Sequence, residues 1–343
     1  MLGWDDAVFG PSGQDASEIG DRIIRRADGG PLYSLAAVID DVELGVTHVI
    51  RGADHHSNTP FHIALYRALE VEPPVFAHVP LIVGSSGKKL SKRRDPVSVA
   101  RYREQGYLPE ALRNWLIRVG WSHGDQEIFS RDEIIRYFDL DAVGRASAQA
   151  DPDKLLWLNQ HYIKAMPMEE LLEALTPHLT QQLAERQSLQ QSPQRPPQEP
   201  SQPIPRPPGL EDLIDLNRER SKTLADMARL SSWFVTDSVE YEEKAARKNL
   251  KVESLPRLRA LHERMRELEP WSPGQLESLF GAVAAEVGGV AMGKLAQPVR
   301  VAVTGGTVSP GIFETLAALG KERSLQRIED AIDFIERNRD ASA

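Results

Sequence analysis

The chain has 343 residues, 41% of them hydrophobic and 27% charged, two or three domains' worth of core-forming globular sequence. It contains no cysteine, which excludes disulfides, a thiolate nucleophile and any cysteine-ligated zinc or iron–sulfur site. A net charge of −9 argues against non-specific coating of nucleic acid, and with no long apolar run and two acids in the first six residues the expectation is a cytoplasmic protein without a membrane span.

In chain order, residues 21–26 and 32–40 flank the turn Asp28-Gly29-Gly30 and read as a hairpin or as strands entering a sheet. Residues 46–51 are a short β-branched run ended by Gly52. Residues 59–68 open on Thr-Pro and continue with Ile63, Ala64 and Leu65, which predicts a short helix, and residues 75–83 predict a strand. Strand, helix, strand is the alternation of a parallel α/β sheet. Residues 109–120 carry Leu112, Trp115, Leu116 and Val119 on one face, with Pro109 at the start and Gly120 past the end, an amphipathic helix. Residues 131–138 and 151–161 predict further helices behind Ser or Asp caps. Between 186 and 208 lie eight of the chain's 24 prolines, interleaved with glutamine and serine, the composition of a solvated linker. Beyond it the period is helical over 210–235, 240–249, 255–268, 275–287, 312–319 and 324–337. The fold class is therefore an α/β front followed by an all-α region. Trp115, Trp121, Trp157, Trp233 and Trp271 read as core side chains.

The sharpest local feature is basic. Lys88, Lys89, Lys92, Arg93, Arg94, Arg101 and Arg103 face one acid, Asp95, within 19 residues that follow the predicted strand and the turn Gly84-Ser85-Ser86-Gly87. Two lysines, Lys89 and Lys92, flank the hydroxyl of Ser91, so ammonium groups and a hydroxyl can converge on a phosphate chain. A loop of this kind would stabilise charge developing on departing pyrophosphate. It is not a P-loop, because GxxxxGK[ST] is absent.

Lys89-Leu90-Ser91-Lys92-Arg93 resembles the KMSKS-type signature of class I aminoacyl-tRNA synthetases, in the form used by glutamyl-tRNA synthetases. The neighbouring segments extend that resemblance: Gly30-Pro31-Leu32-Tyr33-Ser34, Val38-Ile39-Asp40-Asp41, Gly45-Val46-Thr47-His48-Val49-Ile50-Arg51-Gly52, Asn58-Thr59-Pro60, and Tyr107-Leu108-Pro109-Glu110-Ala111-Leu112-Arg113-Asn114. Residues 300–310 and Leu319-Gly320-Lys321-Glu322-Arg323 are similar to the helical anticodon-binding end of the bacterial enzyme.

The resemblance implies four parts. Residues 1–100 would be the C-terminal part of a Rossmann-type catalytic domain, 101–185 a helical stem-contact region, 186–208 an inserted linker, and 209–343 a helical anticodon-binding domain. It implies ATP with Mg2+ as substrate, glutamate as the amino acid and tRNA(Glu) as partner, with Lys92 on the phosphates and Lys89 and Ser91 assisting. Tyr33 would line the glutamate pocket, and Arg51 would pair a glutamate carboxylate through bidentate geometry. Where the family has Gly-Glu-Asp-His, this chain has Gly52-Ala53-Asp54-His55, which removes one carboxylate and leaves Asp54 to serve the nucleotide.

The family's His-x-Gly-His motif does not occur in these residues. The chain is therefore expected to lack the N-terminal part of the catalytic domain, through a misplaced start, a second polypeptide that supplies the missing half, or loss in a degenerate paralogue. Two readings follow: a glutamate–tRNA ligase lineage, and a tRNA-binding module without catalysis. A glutaminyl enzyme is a weaker rival, because that relative ends in β-barrels and this tail is helical. His55, His56 and His62 show no metal-ligand spacing, so no structural metal is expected. Arg218, Arg220 and Lys222, and Lys244, Arg247, Lys248 and Lys251, are basic clusters with solvation or RNA-backbone contact as alternative roles.

Overall fold

The structure is a computed structural model that describes residues 1–84, 98–190 and 205–340. The KLSKR segment and most of the Pro/Gln linker lie outside the described residues. The chain forms two compact units, residues 1–101 with 109–158, and residues 102–108 with 159–343.

The first unit opens with an antiparallel hairpin, β1 (Leu2–Asp6) and β2 (Gly10–Gln14). Asp6 makes its turn: Oδ1 accepts the backbone N–H groups of Val8 (3.1 Å) and Phe9 (3.0 Å). The turn at Asp28-Gly29-Gly30 forms as expected, with Arg26 N–H donating to the Gly30 carbonyl and Gly29 at φ +86°. No strands extend from it, however; residues 21–26 keep only an isolated bridge, from Arg25 to Pro31.

The run expected as a strand over 32–40 is instead α1 (Tyr33–Glu43). A short apolar run does not by itself distinguish the two periods. Here the run is longer than a typical strand, and Val38 and Val42, four apart, pack into one cluster with Leu2, Ile63, Tyr66 and Phe76.

Next come β3 (His48–Gly52), α2 (Thr59–Ala68) and β4 (Val75–Val79), close to the predicted spans. β3 and β4 pair in parallel with Arg51 opposite His78. The second half of the run expected over 75–83 separates as β5 (Ile82–Val83), which pairs in parallel with β6 (Ala148–Gln149).

After α3 (Val99–Glu104), α4 (Pro109–Arg118) buries Ala111, Leu112, Asn114 and Trp115. Asn114 Oδ1 accepts Phe129 N–H (2.7 Å), and a capping box of Ser130 and Glu133 starts α5 (Arg131–Tyr137). In α6 (Pro152–Ala165) Trp157 departs from the expected core role: it is 46% exposed, and Lys154 Nζ lies 4.2 Å from its ring centroid.

The second unit is helical: α7 (Met168–Gln190), α8 (Leu210–Arg218), α9 (Leu224–Ser231), α10 (Glu243–Asn249), α11 (Leu255–Arg266), α12 (Pro273–Glu286), α13 (Gly293–Thr304), α14 (Ile312–Leu319) and α15 (Lys321–Asp340). The helix expected over 210–235 is broken between α8 and α9, where Thr223 caps α9. Of the first basic cluster, Arg218 donates to the carbonyls of Ile163, Lys164 and Met166 at the end of α6, and Arg220 to the Ser309 carbonyl. Lys222 and all four residues of the second cluster are exposed. Gly305 closes α13 with left-handed backbone, and a Cβ there would lie 2.1 Å from the Glu240 carbonyl oxygen.

The break before α9 is gripped by one buried amide. Asn159, fully buried, accepts Leu108 N–H (2.7 Å) and donates to the carbonyls of Gly106 and Lys222. Asn159→Ala takes this partner from the Leu108 N–H and the Lys222 carbonyl, while Gly106 keeps the Leu224 N–H, and is expected to cost about 2–4 kcal/mol, read from urea unfolding. An unchanged midpoint would contradict that role.

Candidate functional site

Arg51 sits at the C-terminal end of β3, the edge at which α/β sheets take ligands. The β3–α2–β4 unit collects polar groups around it. Its Nε donates to His78 Nε2 (3.1 Å), Nη2 to Thr59 Oγ1 (2.8 Å) and the His55 carbonyl (3.4 Å), and Nη1 to His62 Nδ1 (3.3 Å). Its guanidinium carbon also lies 5.4 Å from the Phe76 ring centroid. Among the described residues Arg51 forms no ion pair. Burial disfavours its charge, while the Tyr33 hydroxyl and the Asp41 carboxylate favour it. Arginine stays ionised under such pressure, so the site holds a cation surrounded by neutral acceptors.

Tyr33, the first residue of α1, is half exposed, and its ring lies 5.9 Å from that of His55 and 6.0 Å from that of His62. The structure thus brings Tyr33 and Arg51 to one place. Asp54 lies on the adjoining 3-10 turn (Ala53–Asn58), exposed, with its carboxylate folded toward Gly52, where a Cβ would meet Oδ1 at 2.6 Å. Lys89, Ser91 and Lys92 lie outside the described residues, so their placement beside Arg51 stays an expectation.

Sequence reading missed four neighbours of Arg51 or its partners: Asp6, Thr59, His62 and His78. Their signal was the parallel register, since a strand–helix–strand unit sets the ends of its two strands side by side. His78 is fully buried; its Nδ1 lies 2.5 Å from Asp6 Oδ2, and its backbone N–H donates to Asp6 Oδ1 (3.1 Å). Burial opposes the Asp6 charge, but hydrogen bonds from Phe9, His78 and Val8 outweigh it and pull the pKa down to about 2. For His78, burial outweighs the attraction of Asp6 and lowers its pKa, so the imidazole is neutral.

Asp6, His56 and His78 bring ligand-type atoms within 4.8 Å of one another, a grouping that the histidine spacing did not suggest. The donor set does not suit a cation. Both Asp6 oxygens accept N–H groups, and His78 faces Arg51 through its second nitrogen. A metal ion there would sit against a guanidinium.

Residues 2–157 match the family model described as tRNA synthetases class I (E and Q), catalytic domain, and residues 170–332 match an anticodon binding domain. The chain belongs to this class I synthetase family. It is 50% identical over 323 residues to glutamate–tRNA ligase 1 of Alkalilimnicola ehrlichii, covering 94% of this chain and 64% of that protein. It is 44% identical over 335 residues to a Legionella pneumophila glutamate–tRNA ligase, covering 98% and 67%. A glutamate tRNA ligase from Elizabethkingia meningosepticum, solved in complex with its amino acid, superposes with TM-score 0.72 at 30% identity, covering 97% of this chain and 66% of that one. The chain therefore spans about two thirds of the length of these synthetases. Both halves of the sequence-derived fold class stand: a class I catalytic part with small sheets, then a helical anticodon-binding part. No helix among the described residues is long and apolar enough to cross a membrane.

In the cluster around Arg51 His62 is buried, with Nδ1 toward Arg51 and Nε2 without a partner among the described residues. Burial, then the charges of Arg51, His55 and Arg22, hold its pKa down at about 4, against an ordinary value of 6.5. Between those two values the unfolded chain binds a proton that the folded chain refuses, so stability is present above about pH 6.5 and is lost as pH falls toward 4. Urea unfolding at pH 7 and 4.5 should show the wild type losing about 2 kcal/mol more than His62→Gln. Equal losses would show that His62 does not carry this dependence.

Proposed function

We propose that this chain carries the glutamate-holding and tRNA-contacting parts of a glutamate–tRNA ligase. The observation that carries the reading is Arg51: a half-buried guanidinium, fixed by neutral acceptors and without a carboxylate partner among the described residues, at the ligand-binding end of a parallel strand. A glutamate carboxylate supplies the missing counter-charge, with Tyr33 lining the same space. With Arg51 on the side-chain carboxylate, glutamine would offer it a neutral amide instead, so the arginine favours glutamate.

ATP enters with Mg2+ as substrate. Lys89, Ser91 and Lys92 bind its phosphates, and Asp54 serves the nucleotide side. The α-carboxylate of glutamate attacks the α-phosphorus of ATP, forming glutamyl adenylate and expelling pyrophosphate, whose charge Lys92 stabilises. A terminal adenosine hydroxyl of tRNA(Glu) then attacks the activated carbonyl, forming the ester and releasing AMP.

Residues 101–185 and 209–343 make the stem and anticodon contacts, with the exposed Lys244, Arg247, Lys248 and Lys251 facing the RNA backbone. The cysteine-free composition fits a cytoplasmic setting. Because no His-x-Gly-His occurs in the 343 residues, the remaining ATP contacts come from polypeptide outside this sequence, in the same or a second chain. That absence also favours a second reading, a tRNA-binding module without catalysis.

ATP–pyrophosphate exchange with glutamate and tRNA separates the two when set beside a tRNA gel shift. Residues 1–343 alone should shift tRNA yet not charge it, and adding a polypeptide with the His-x-Gly-His segment should restore exchange. Measurable charging by the chain alone would overturn the need for that segment; binding without exchange after its addition would favour the module. In calorimetry, Arg51→Ala should weaken glutamate binding by about 10- to 100-fold. An unchanged affinity would remove Arg51 from the site.

A further inference from the structure

The geometry points to Asp6 and His78 as positioning residues for Arg51, a buried brace that holds the imidazole in one tautomer so that it accepts the arginine's Nε–H. The inference rests on Arg51 as the carboxylate anchor, and it names what sets that anchor's orientation.

The tautomer follows from the two sides of the ring. On one side Nδ1 lies 2.5 Å from a carboxylate oxygen, which has no hydrogen to give, so Nδ1 carries the proton. On the other, Nε2 lies 3.1 Å from Arg51 Nε, which always carries hydrogen, so Nε2 is the acceptor. A doubly protonated ring would turn N–H against N–H at Arg51. Burial and the neighbouring guanidinium act against that form as well. Thr59 completes the seat: Oγ1 accepts from Arg51 Nη2 at 2.8 Å and lies 3.1 Å from His78 Nε2.

Asp6 cannot be replaced by its amide without reversing this arrangement. Oδ1 receives three backbone N–H groups, from Val8, Phe9 and His78, so that position must remain oxygen. In Asp6→Asn the new NH2 therefore takes the place of Oδ2 and donates to His78 Nδ1. The ring proton moves to Nε2, where it opposes Arg51 Nε–H. The backbone bonds of the hairpin turn stay in place, while the Trp4 Nε1–H contact to Oδ2 (3.4 Å) is lost and the hydrogen bond to the guanidinium becomes a donor–donor clash. A tautomer reversal of this kind is how an amide in place of a carboxylate disables an imidazole without moving it.

The test combines a spectroscopic and a binding measurement on the full chain. Long-range 1H–15N spectra of the imidazoles should place the His78 proton on Nδ1 in the wild type and on Nε2 in Asp6→Asn. Glutamate affinity by calorimetry should fall about ten- to thirtyfold in Asp6→Asn. His78→Gln alone should keep most of the affinity, because the Asp6 carboxylate takes the Gln NH2 and turns the Gln oxygen to Arg51; with Asp6→Asn added, the Asn NH2 claims that oxygen and the affinity should fall again. A purely structural defect would not depend on whether position 6 can orient that amide.

A wild-type proton on Nε2, an unchanged tautomer in Asp6→Asn, or loss of affinity in His78→Gln to the level of His78→Phe would each overturn the brace. If Asp6→Asn does not fold, His78→Phe carries the test: it keeps Asp6 on its three N–H groups, removes the acceptor and should lower affinity to the same extent. Should the wild type bind no glutamate, the proposed function fails, while the tautomer measurement still decides the brace.

Discussion

A guanidinium drawn half out of water, with no carboxylate paired to it among the described residues, is the constraint around which the first unit is arranged. Neutral acceptors must hold it, and two of the four are imidazole nitrogens, which accept only while their rings are uncharged. Neutrality in turn needs burial, which α2 and the parallel pair β3–β4 provide for His62 and His78. The N-terminal hairpin enters through Asp6, which is both the residue that turns β1 into β2 and the partner that orients His78. Local turn, long-range pairing and candidate ligand site therefore share one carboxylate. Neighbouring peptide dipoles and imidazoles leave the arginine's charge open to an anion of the right reach, whereas an acid at the same place would quench it.

Where local chemistry dictates local structure, the sequence was easy to read. Thr59-Pro60 starts α2, Ser130 with Glu133 starts α5, and the β-branched stretch ending at Gly52 is β3. The errors have physical causes. The middle of α1 is an unbroken apolar run, residues 35–39, so its period is weak, and only packing of Val38 and Val42 into the cluster decides it. The hairpin strand β2, Gly-Pro-Ser-Gly-Gln, has almost no intrinsic strand preference and exists because β1 pairs with it. Helices α7 and α13 went unpredicted, and each has a proline inside, Pro177 and Pro298, which argues locally against a helix that tertiary packing nonetheless holds.

The candidate site divides in the same way. Tyr33 and Arg51 were legible because family motifs carry them. The Asp6–His78 contact spans 72 residues, and neither residue is conspicuous until a register is known. Along the chain His55, His56 and His62 lack metal-ligand spacing and by themselves suggest no shared role. In space the imidazoles of His62 and His78 serve a guanidinium instead.

In the helical unit a different use of arginine emerges. Arg327 is almost fully buried, with its guanidinium on the carbonyls of Val303, Trp233 and Thr236, and Arg218 closes the end of α6 in a similar way. Such side chains are fastened to peptide dipoles and cannot reach the phosphates of a polyanion to displace its condensed cations. Only the exposed basic side chains, Lys244, Arg247, Lys248 and Lys251 among them, are free to meet a polyanion, so the steepness of any dependence on ionic strength would be less than the unit's total of basic residues suggests.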